Sequence, residues 1–556
     1  MLGTQRARSA FSLCVILFVL AVPVSAAPFV LLPVGDQALE DLRFVARESG
    51  ESLLSFTPPL SADEVRNALE SIDPARLSPA GSAAYARVRA ALVPRPMLSD
   101  GAFGFSARPE LTFEGRFRTD DDSPWTGAER DSASLLSVPL DFFFADRVYA
   151  SGDLSVRADP TYYDEEGEST GSNVPCEAER FDLNVPLRSF LSAGGSWWSF
   201  QVGRDQVSFG VARTGNLAVN DTPSYYDFGR LSLFSPNFKY SLFISQHPLD
   251  TSALLSDEVT VAGDELAETT HRYLYYHRWD FRLFRRLSVG LGEGAMVGNS
   301  PLELRFLNPL SIYHGFFAWL DYPYWKSSSS DEGSYVGSLL SVDLDWAAAP
   351  GWAVYGQFVM NEYATEYEQD KWPDSARPNG LGYLAGLEHA RSVAGWAAVF
   401  NLEAVYADPY LYTLSSPFAS YISMRRLSAL SKKDPLYSWI GHPQGRDFAL
   451  FALSADFGRG PERTRGTLGA RIEASCSLQG EHGLVWNWYE GDSADEVAPS
   501  GTIERRLVLK AAPRWCPVDR VTVEASLALV RIDNAEHVKG NEGGGAEVSL
   551  SVAWKY

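Results

Sequence analysis

Cysteine, histidine and methionine are all scarce, with 4, 8 and 5 residues in a chain of 556. Cys14 lies in the N-terminal apolar run, and no CxxC occurs among Cys176, Cys476 and Cys516. That excludes a disulfide scaffold and a paired-cysteine zinc site; one bridge among the three stays open, and the sequence does not choose it. No HExxH and no P-loop occur, so neither a metal nor a nucleotide cofactor is expected. Past residue 26 no stretch approaches the ~20 apolar residues of a helical membrane span, which rules out a multi-span helical protein. Basic residues are also short, 48 Lys and Arg against 70 Asp and Glu for a net charge of −22, so no basic nucleic-acid face is expected.

Aromatics are abundant: 31 Phe, 25 Tyr and 15 Trp. With a mean hydropathy of −0.14, they leave two classes, a soluble enzyme or a membrane β-barrel.

The first residues read as an export signal. Arg6 and Arg8 precede an apolar run from Phe11 to Val22, and Pro23-Val24-Ser25-Ala26-Ala27 supplies small residues for cleavage. Export would remove two positive charges, taking −22 to −24. From Gln37 to about Leu92 the pattern is helical. Leu39, Leu42, Val45 and Ala46 share a face, Ser61-Ala62-Asp63-Glu64 reads as a capping box, and Ser78-Pro79 as an N-cap with proline at the first position. Three such short helices need a larger partner to pack on.

From about Ala102 the period changes to 2 and stays there. Leu136, Val138, Leu140, Phe142 and Phe144 alternate with smaller or polar residues, as do Tyr273, Tyr275, Trp279, Phe281 and Leu283, and Val336, Leu340, Val342, Leu344 and Trp346. The segments have the ~9–11 residues of a tilted membrane strand. Their connections alternate between short ones, such as Arg285-Arg286 and Pro350-Gly351, and long polar ones, such as Asp159–Glu179, Pro248–Thr270, Glu362–Pro378 and Gln479–Ser500. Aromatics at segment ends (Trp197-Trp198, Tyr225-Tyr226, Trp346, Trp352, Trp554) fit interfacial girdles. Val548, Leu550, Val552, Trp554 and Tyr556 alternate up to the last residue, as a closing strand would, and as a signal for barrel-assembly machinery would. The expected fold is all-β: a transmembrane antiparallel barrel of roughly 16 to 18 strands with a small N-terminal helical segment. The chain divides into a signal peptide over 1–26, a periplasmic helical segment over 27–98 and an outer-membrane barrel over 99–556.

Catalytic motifs fail on context. Gly167-Glu168-Ser169-Thr170-Gly171 matches GxSxG but lies in an acidic loop, without the strand and helix a nucleophile elbow needs. Gly290-Leu291-Gly292-Glu293-Gly294 lacks the dinucleotide spacing. Nothing points to an enzyme.

The stretch from Phe200-Gln201-Val202-Gly203-Arg204 through Gly215-Asn216-Leu217-Ala218-Val219-Asn220-Asp221-Thr222-Pro223 resembles one of the Wzi-type capsule-assembly outer-membrane proteins. Leu307-Asn308-Pro309-Leu310, Tyr355-Gly356-Gln357-Phe358, Asp408-Pro409-Tyr410-Leu411-Tyr412-Thr413 and Gly441-His442-Pro443-Gln444-Gly445-Arg446-Asp447 resemble further stretches in the same order. The sequence departs from the family where Phe209 stands in place of Trp and Val211-Ala212-Arg213 replaces a Gly-rich step. The resemblance implies a barrel of about 18 strands with periplasmic helices at one mouth, and a lectin-like, non-catalytic role in holding surface or capsular polysaccharide. Planar polar groups for hydroxyl pairs and rings for sugar faces then nominate Arg204, Asn220, Asp221, Arg305, Tyr412, His442 and Arg446. Trp319, within the aromatic run Phe316–Trp325, joins them. Glu293, Asp343, Asp345, Glu362 and Glu403 form either an acidic lumen or, with Arg278, Arg282 and Arg305, a structural network. Expected partners are surface polysaccharide, outer-membrane lipid and lipopolysaccharide, and the assembly machinery at Tyr556. The rival reading is a porin or substrate-selective channel with an acidic lumen.

Overall fold

The computed structural model describes residues 29–119, 133–145, 147–158, 171–174, 181–183, 187–249, 272–298, 302–313, 336–363, 365–371, 378–414, 419–425, 436–460, 464–484 and 496–556. The expected signal peptide, Cys176, Trp319 and its aromatic run, and most of the four long polar loops lie outside these residues.

Eighteen antiparallel strands close into one barrel. They are β1 (Phe103–Ala107 continued by Glu110–Arg118), β2 (Leu136–Phe144), β3 (Val148–Ala158), β4 (Phe181–Leu183 continued by Ser189–Gly195), β5 (Trp198–Asp205) and β6 (Tyr226–Phe234). Next come β7 (Phe238–Gln246), β8 (Arg272–Leu283), β9 (Leu287–Gly298), β10 (Val336–Ala349), β11 (Trp352–Glu362) and β12 (Gly380–Val393). The last six are β13 (Trp396–Ala407), β14 (Phe448–Arg459), β15 (Leu468–Gln479), β16 (Glu504–Val518), β17 (Val521–Asp533) and β18 (Glu542–Lys555). β18 pairs with β1 from Glu547↔Arg118 to Lys555↔Glu110, which removes the last free edge.

One end carries tight turns, among them Phe284-Arg285-Arg286, Pro350-Gly351 and Ala394-Gly395. Ala394 and Gly395 both take positive φ, 51° and 81°, the type I′ geometry whose twist matches the flanking strands. The long connections leave from the other end. Outward positions are apolar and exposed around the wall: Phe113, Phe200, Phe281, Leu291, Leu344, Leu402, Leu453, Leu509, Leu529 and Leu550 are examples. A soluble protein does not expose a continuous apolar girth of this size; a membrane barrel requires it. Tyr225 and Tyr226 are not part of the girdle. Tyr226 points inward and its hydroxyl donates to the Asn220 carbonyl at 2.6 Å, and both rings are buried. Cys476 and Cys516 are both free.

Three helices pack against the short-turn end: α1 (Gln37–Ser49), α2 (Ala62–Glu70) and α3 (Pro79–Ala91). Each start is locally encoded. Asp36 accepts from the Ala38 N–H, Ser61 and Glu64 exchange bonds in a complete capping box, and Ser78 accepts from Gly81. Their apolar faces form one core that reaches Ala390 of β12.

Candidate functional site

The lumen is filled on one side. The segment after β5 turns inward, so that Val207, Phe209, Leu217 and Val219 are buried against Phe243, Tyr276 and Leu384 of the wall. A hairpin of Ile422–Arg425 and Leu436–Trp439, in the β13–β14 connection, joins the same cluster. On β14 and β15, lumen-facing charged side chains stay accessible instead. Asp456, Arg471 and Glu473 are 34, 42 and 34% exposed, whereas Arg278 and Asp280 on β8 are 4 and 2%.

Buried charge fastens the plug to the wall. Glu388 of β12 meets three guanidiniums: Arg43 at 2.6 Å and Arg47 at 2.9 Å from α1, and Arg213 at 3.2 Å from the β5–β6 segment. Arg47 also bridges to Asp345 of β10 at 2.8 Å, and Arg213 to Glu40 at 2.5 Å. Burial pushes the Glu40 carboxyl upward, but Arg213 and Arg43 outweigh it and hold the group below its usual range. Glu403 accepts from the Arg213 and Thr214 N–H groups and the Thr214 and Tyr355 hydroxyls. Asp343 accepts from Arg278 and Gln357, each at 2.6 Å. α2 is fixed similarly, because Glu64 pairs with Lys239 of β7 besides closing its capping box. Asp343, Asp345 and Glu403 thus belong to a paired network. Glu293 does not: it points outward, 3.2 Å from His277.

On this base the long-loop end is assembled around four residues nominated from the sequence and one that was not. Asn220 accepts from the Asn216 N–H at 3.0 Å and donates to Thr222 at 2.8 Å. Tyr412 is fully buried with φ 69°; its hydroxyl donates to the Leu217 carbonyl, and its N–H to Asn361. Arg446, also buried, donates to the carbonyls of Pro409 at 2.9 Å and Gly483 at 3.2 Å. His442 stacks on Phe448 at 4.8 Å, and its Nδ1 accepts from the Gln444 N–H at 3.2 Å. The additional residue is Asp447. Its carboxylate takes the His482 N–H at 3.0 Å and the Ser500 N–H and hydroxyl at 2.8 and 2.6 Å. Arg446 and Asp447 thereby tie the β13–β14 and β15–β16 connections into one surface.

Burial holds the His442 imidazole at about 3, against an ordinary 6.5. Unfolded, it takes up a proton below about 6.5; folded, it does so only near 3. The stability it contributes is therefore complete above pH 6.5 and is lost, at about 1.4 kcal/mol per pH unit, as pH falls from there. Cleavage within residues 436–447 by an added protease should increase as pH falls from about 8 to about 5, the range in which an ordinary imidazole charges. His442→Gln should flatten that response.

What this assembly presents outward is a small polar patch. The Tyr410 hydroxyl donates to Glu496 at 2.6 Å, and His482 Nε2 lies 3.1 Å from the same carboxylate. The Tyr410 and His482 rings are 5.2 Å apart. His482 and Glu496 are 29 and 31% exposed. Burial pushes the Glu496 carboxyl up, yet the bonds from Tyr410 and His482 prevail and hold it below its usual range. A part-exposed carboxylate beside an imidazole can accept from and donate to adjacent hydroxyls. Sequence reading missed His482 and Glu496, which sit in a long loop with no motif around them.

The other nominated residues lie apart. Arg204, on the outer side of β5, pairs bidentately with Asp227 at 2.7 and 3.0 Å and covers the Tyr225 ring at 3.9 Å. Asp221 is half-buried at the long-loop end. Arg305 lies in a short turn on the outside of the wall, 2.9 Å from Glu303.

No protein-family model and no curated protein sequence matches the chain. Among solved structures it is similar to Wzi of Escherichia coli, an outer-membrane protein involved in group 1 capsule assembly and described as a carbohydrate-binding β-barrel. The TM-score is 0.54 at 15% identity, over 95% of this chain and 99% of that one. Looser similarities are to OccK3 of Pseudomonas aeruginosa (TM-score 0.39, 12% identity, 81% of this chain and 95% of that one) and the outer-membrane channel DcaP of Acinetobacter baumannii (0.36, 9%, 83% and 100%). In fold, the chain is an 18-stranded antiparallel barrel of the Wzi type, with a few helices at its N-terminal end.

Proposed function

We propose that the protein is an outer-membrane barrel that binds or anchors surface polysaccharide without catalysis. In this reading residues 1–26 are removed on export, 27–98 face the periplasm and the barrel over 99–556 puts its long loops outside the cell. The observation that carries it is the patch of Tyr410, His482 and Glu496, held on buried Arg446 and Asp447 at the long-loop end. The shared fold with a carbohydrate-binding barrel adds support. His482 and Glu496 contact the glycan. Asn220, Tyr412, His442 and Arg446, all buried, position the loops, while Asp221 belongs to the rim of the site.

The test is binding of purified surface polysaccharide fragments to the detergent-solubilised protein, by glycan array and then titration. His482→Ala and Glu496→Gln should each weaken binding about tenfold, since a charge-assisted hydrogen bond is worth about 1.5–3 kcal/mol. A wild-type protein that binds no glycan, or variants that bind as wild type, overturn the reading.

One observation favours the rival channel. Charged side chains on the lumen wall of β14–β16 stay part-exposed beside the plug. Planar-bilayer recording separates the two: an open, ohmic pore supports a conduit, and silence supports a closed binding barrel.

A further inference from the structure

The outside of the wall carries a groove that the polysaccharide reading does not use. It encloses about 650 Å³. Val202, Gly203, Gly229 and Ile244 floor it, from three adjacent strands, and Leu302 forms its side. Towards the long-loop end it meets polar groups: Arg204, Asp227, Gln246 and Tyr273. The Arg204 guanidinium, paired with Asp227, lies 3.9 Å from the Tyr225 ring centre at that end of an apolar trough, and the buried Arg425 backs the same ring at 5.0 Å.

The side wall is built by the start of the β9–β10 connection, which folds back along the barrel exterior. Phe306 stacks on Tyr275 at 4.6 Å, and Tyr313 on His277 at 4.0 Å, nearly parallel at 9°. Both rings are fully buried, and they cover the outward His277–Glu293 pair. Charge on a lipid-facing position is costly, of order 2–4 kcal/mol near the bilayer midplane, so the cover removes a penalty. The same segment leaves Leu302, Leu304, Leu310 and Ile312 exposed at 50, 74, 87 and 71%. Aromatic side chains face the protein and aliphatic ones face away, as on a strap lying in lipid.

We propose that this groove binds the phosphorylated, multiply acylated glycolipid of the outer leaflet, lipid A, with acyl chain along Val202, Gly229 and Ile244 and phosphate at Arg204. Guanidinium is the side chain best matched to phosphate. The assignment to lipid A, not a phospholipid, rests on the long loops facing outward, as in the function proposed above.

The experiment extracts the full-length protein from outer membranes in mild detergent. Bound lipid is identified by native mass spectrometry and by 3-hydroxy fatty-acid analysis. The variants are Gly229→Phe and Arg204→Glu. A Cβ built at Gly229 meets nothing within 4 Å, so a ring there occupies the groove without disturbing the wall. Wild type should retain lipid A, and each variant at least fivefold less, with the heat-modifiable migration of a folded barrel unchanged for Gly229→Phe. Equal retention by wild type and Gly229→Phe, absence of bound lipid, or bound phospholipid instead overturns the proposal. Glycan binding by Gly229→Phe should match wild type. A protein that holds lipid A yet binds no glycan refutes the polysaccharide reading and leaves this one standing.

Discussion

Replacing Glu388 by alanine should release the helical plug and raise the ion conductance of the reconstituted barrel above that of wild type. Three guanidiniums converge on this fully buried carboxylate, two from α1 and one from the lumen segment after β5. Removing one partner of a buried pair costs about 3–5 kcal/mol, chiefly because the remaining charge is stranded; here Arg43 loses its carboxylate, while Arg47 keeps Asp345 and Arg213 keeps Glu40. The strands do not depend on Glu388 for their pairing, since β12 keeps its backbone ladders to β11 and β13. The barrel should therefore persist while the plug loosens. Single-channel recording and hydrogen exchange of α1 read the two effects separately. Glu388→Gln keeps the shape and two acceptor or donor sites but no charge, and should give an intermediate conductance. Wild-type conductance and unchanged α1 protection in Glu388→Ala would show that apolar packing onto Ala390 alone seats the helices.

The lock at Glu388 was not legible in the sequence, and the reason is physical. Arg43 and Glu388 are 345 positions apart. In the period-2 pattern Glu388 occupies an ordinary polar position, indistinguishable from one facing a water-filled lumen. Arg43 and Arg47, one helical turn apart, look like solvent-facing residues beside the apolar face of Leu39, Leu42, Val45 and Ala46. Their burial follows from β12 lying opposite. The barrel itself was readable because alternation, turn chemistry and capping are local. The capping box at Ser61–Glu64 formed as read, but its carboxylate also reaches Lys239, which local pattern cannot show. Alternation also gives a face without saying what covers it. By pattern Glu293 groups with the acids of the lumen or of its arginine network, whereas in the barrel it is an outward residue hidden by Tyr313, whose N–H donates to it at 2.8 Å. The nominated residues Asn220, Tyr412, His442 and Arg446 do gather in space, around a plug whose existence the alternating pattern does not encode.

Deleting Val548–Tyr556 should abolish the folded barrel altogether. Those residues include the pairs from Val548↔Phe117 to Lys555↔Glu110 that close β18 onto β1. Without them β1 and β17 become open edges in hydrocarbon, where each unsatisfied backbone group costs several kcal/mol. A few such groups exceed the about 5–15 kcal/mol that stabilises a typical fold. Heat-modifiable migration and membrane fractionation should show only unfolded or degraded chain. Removing Tyr556 alone is a different experiment. Its N–H donates to the Pro109 carbonyl at 3.0 Å, and Arg520 lies 4.6 Å from its ring centre, but the ladder up to Lys555 survives. That variant should refold in detergent as wild type does. If it also assembles normally in cells, Tyr556 serves only the seam. If it folds in detergent but fails to reach the outer membrane, the terminal aromatic is read during assembly, a role that sealing the barrel does not supply.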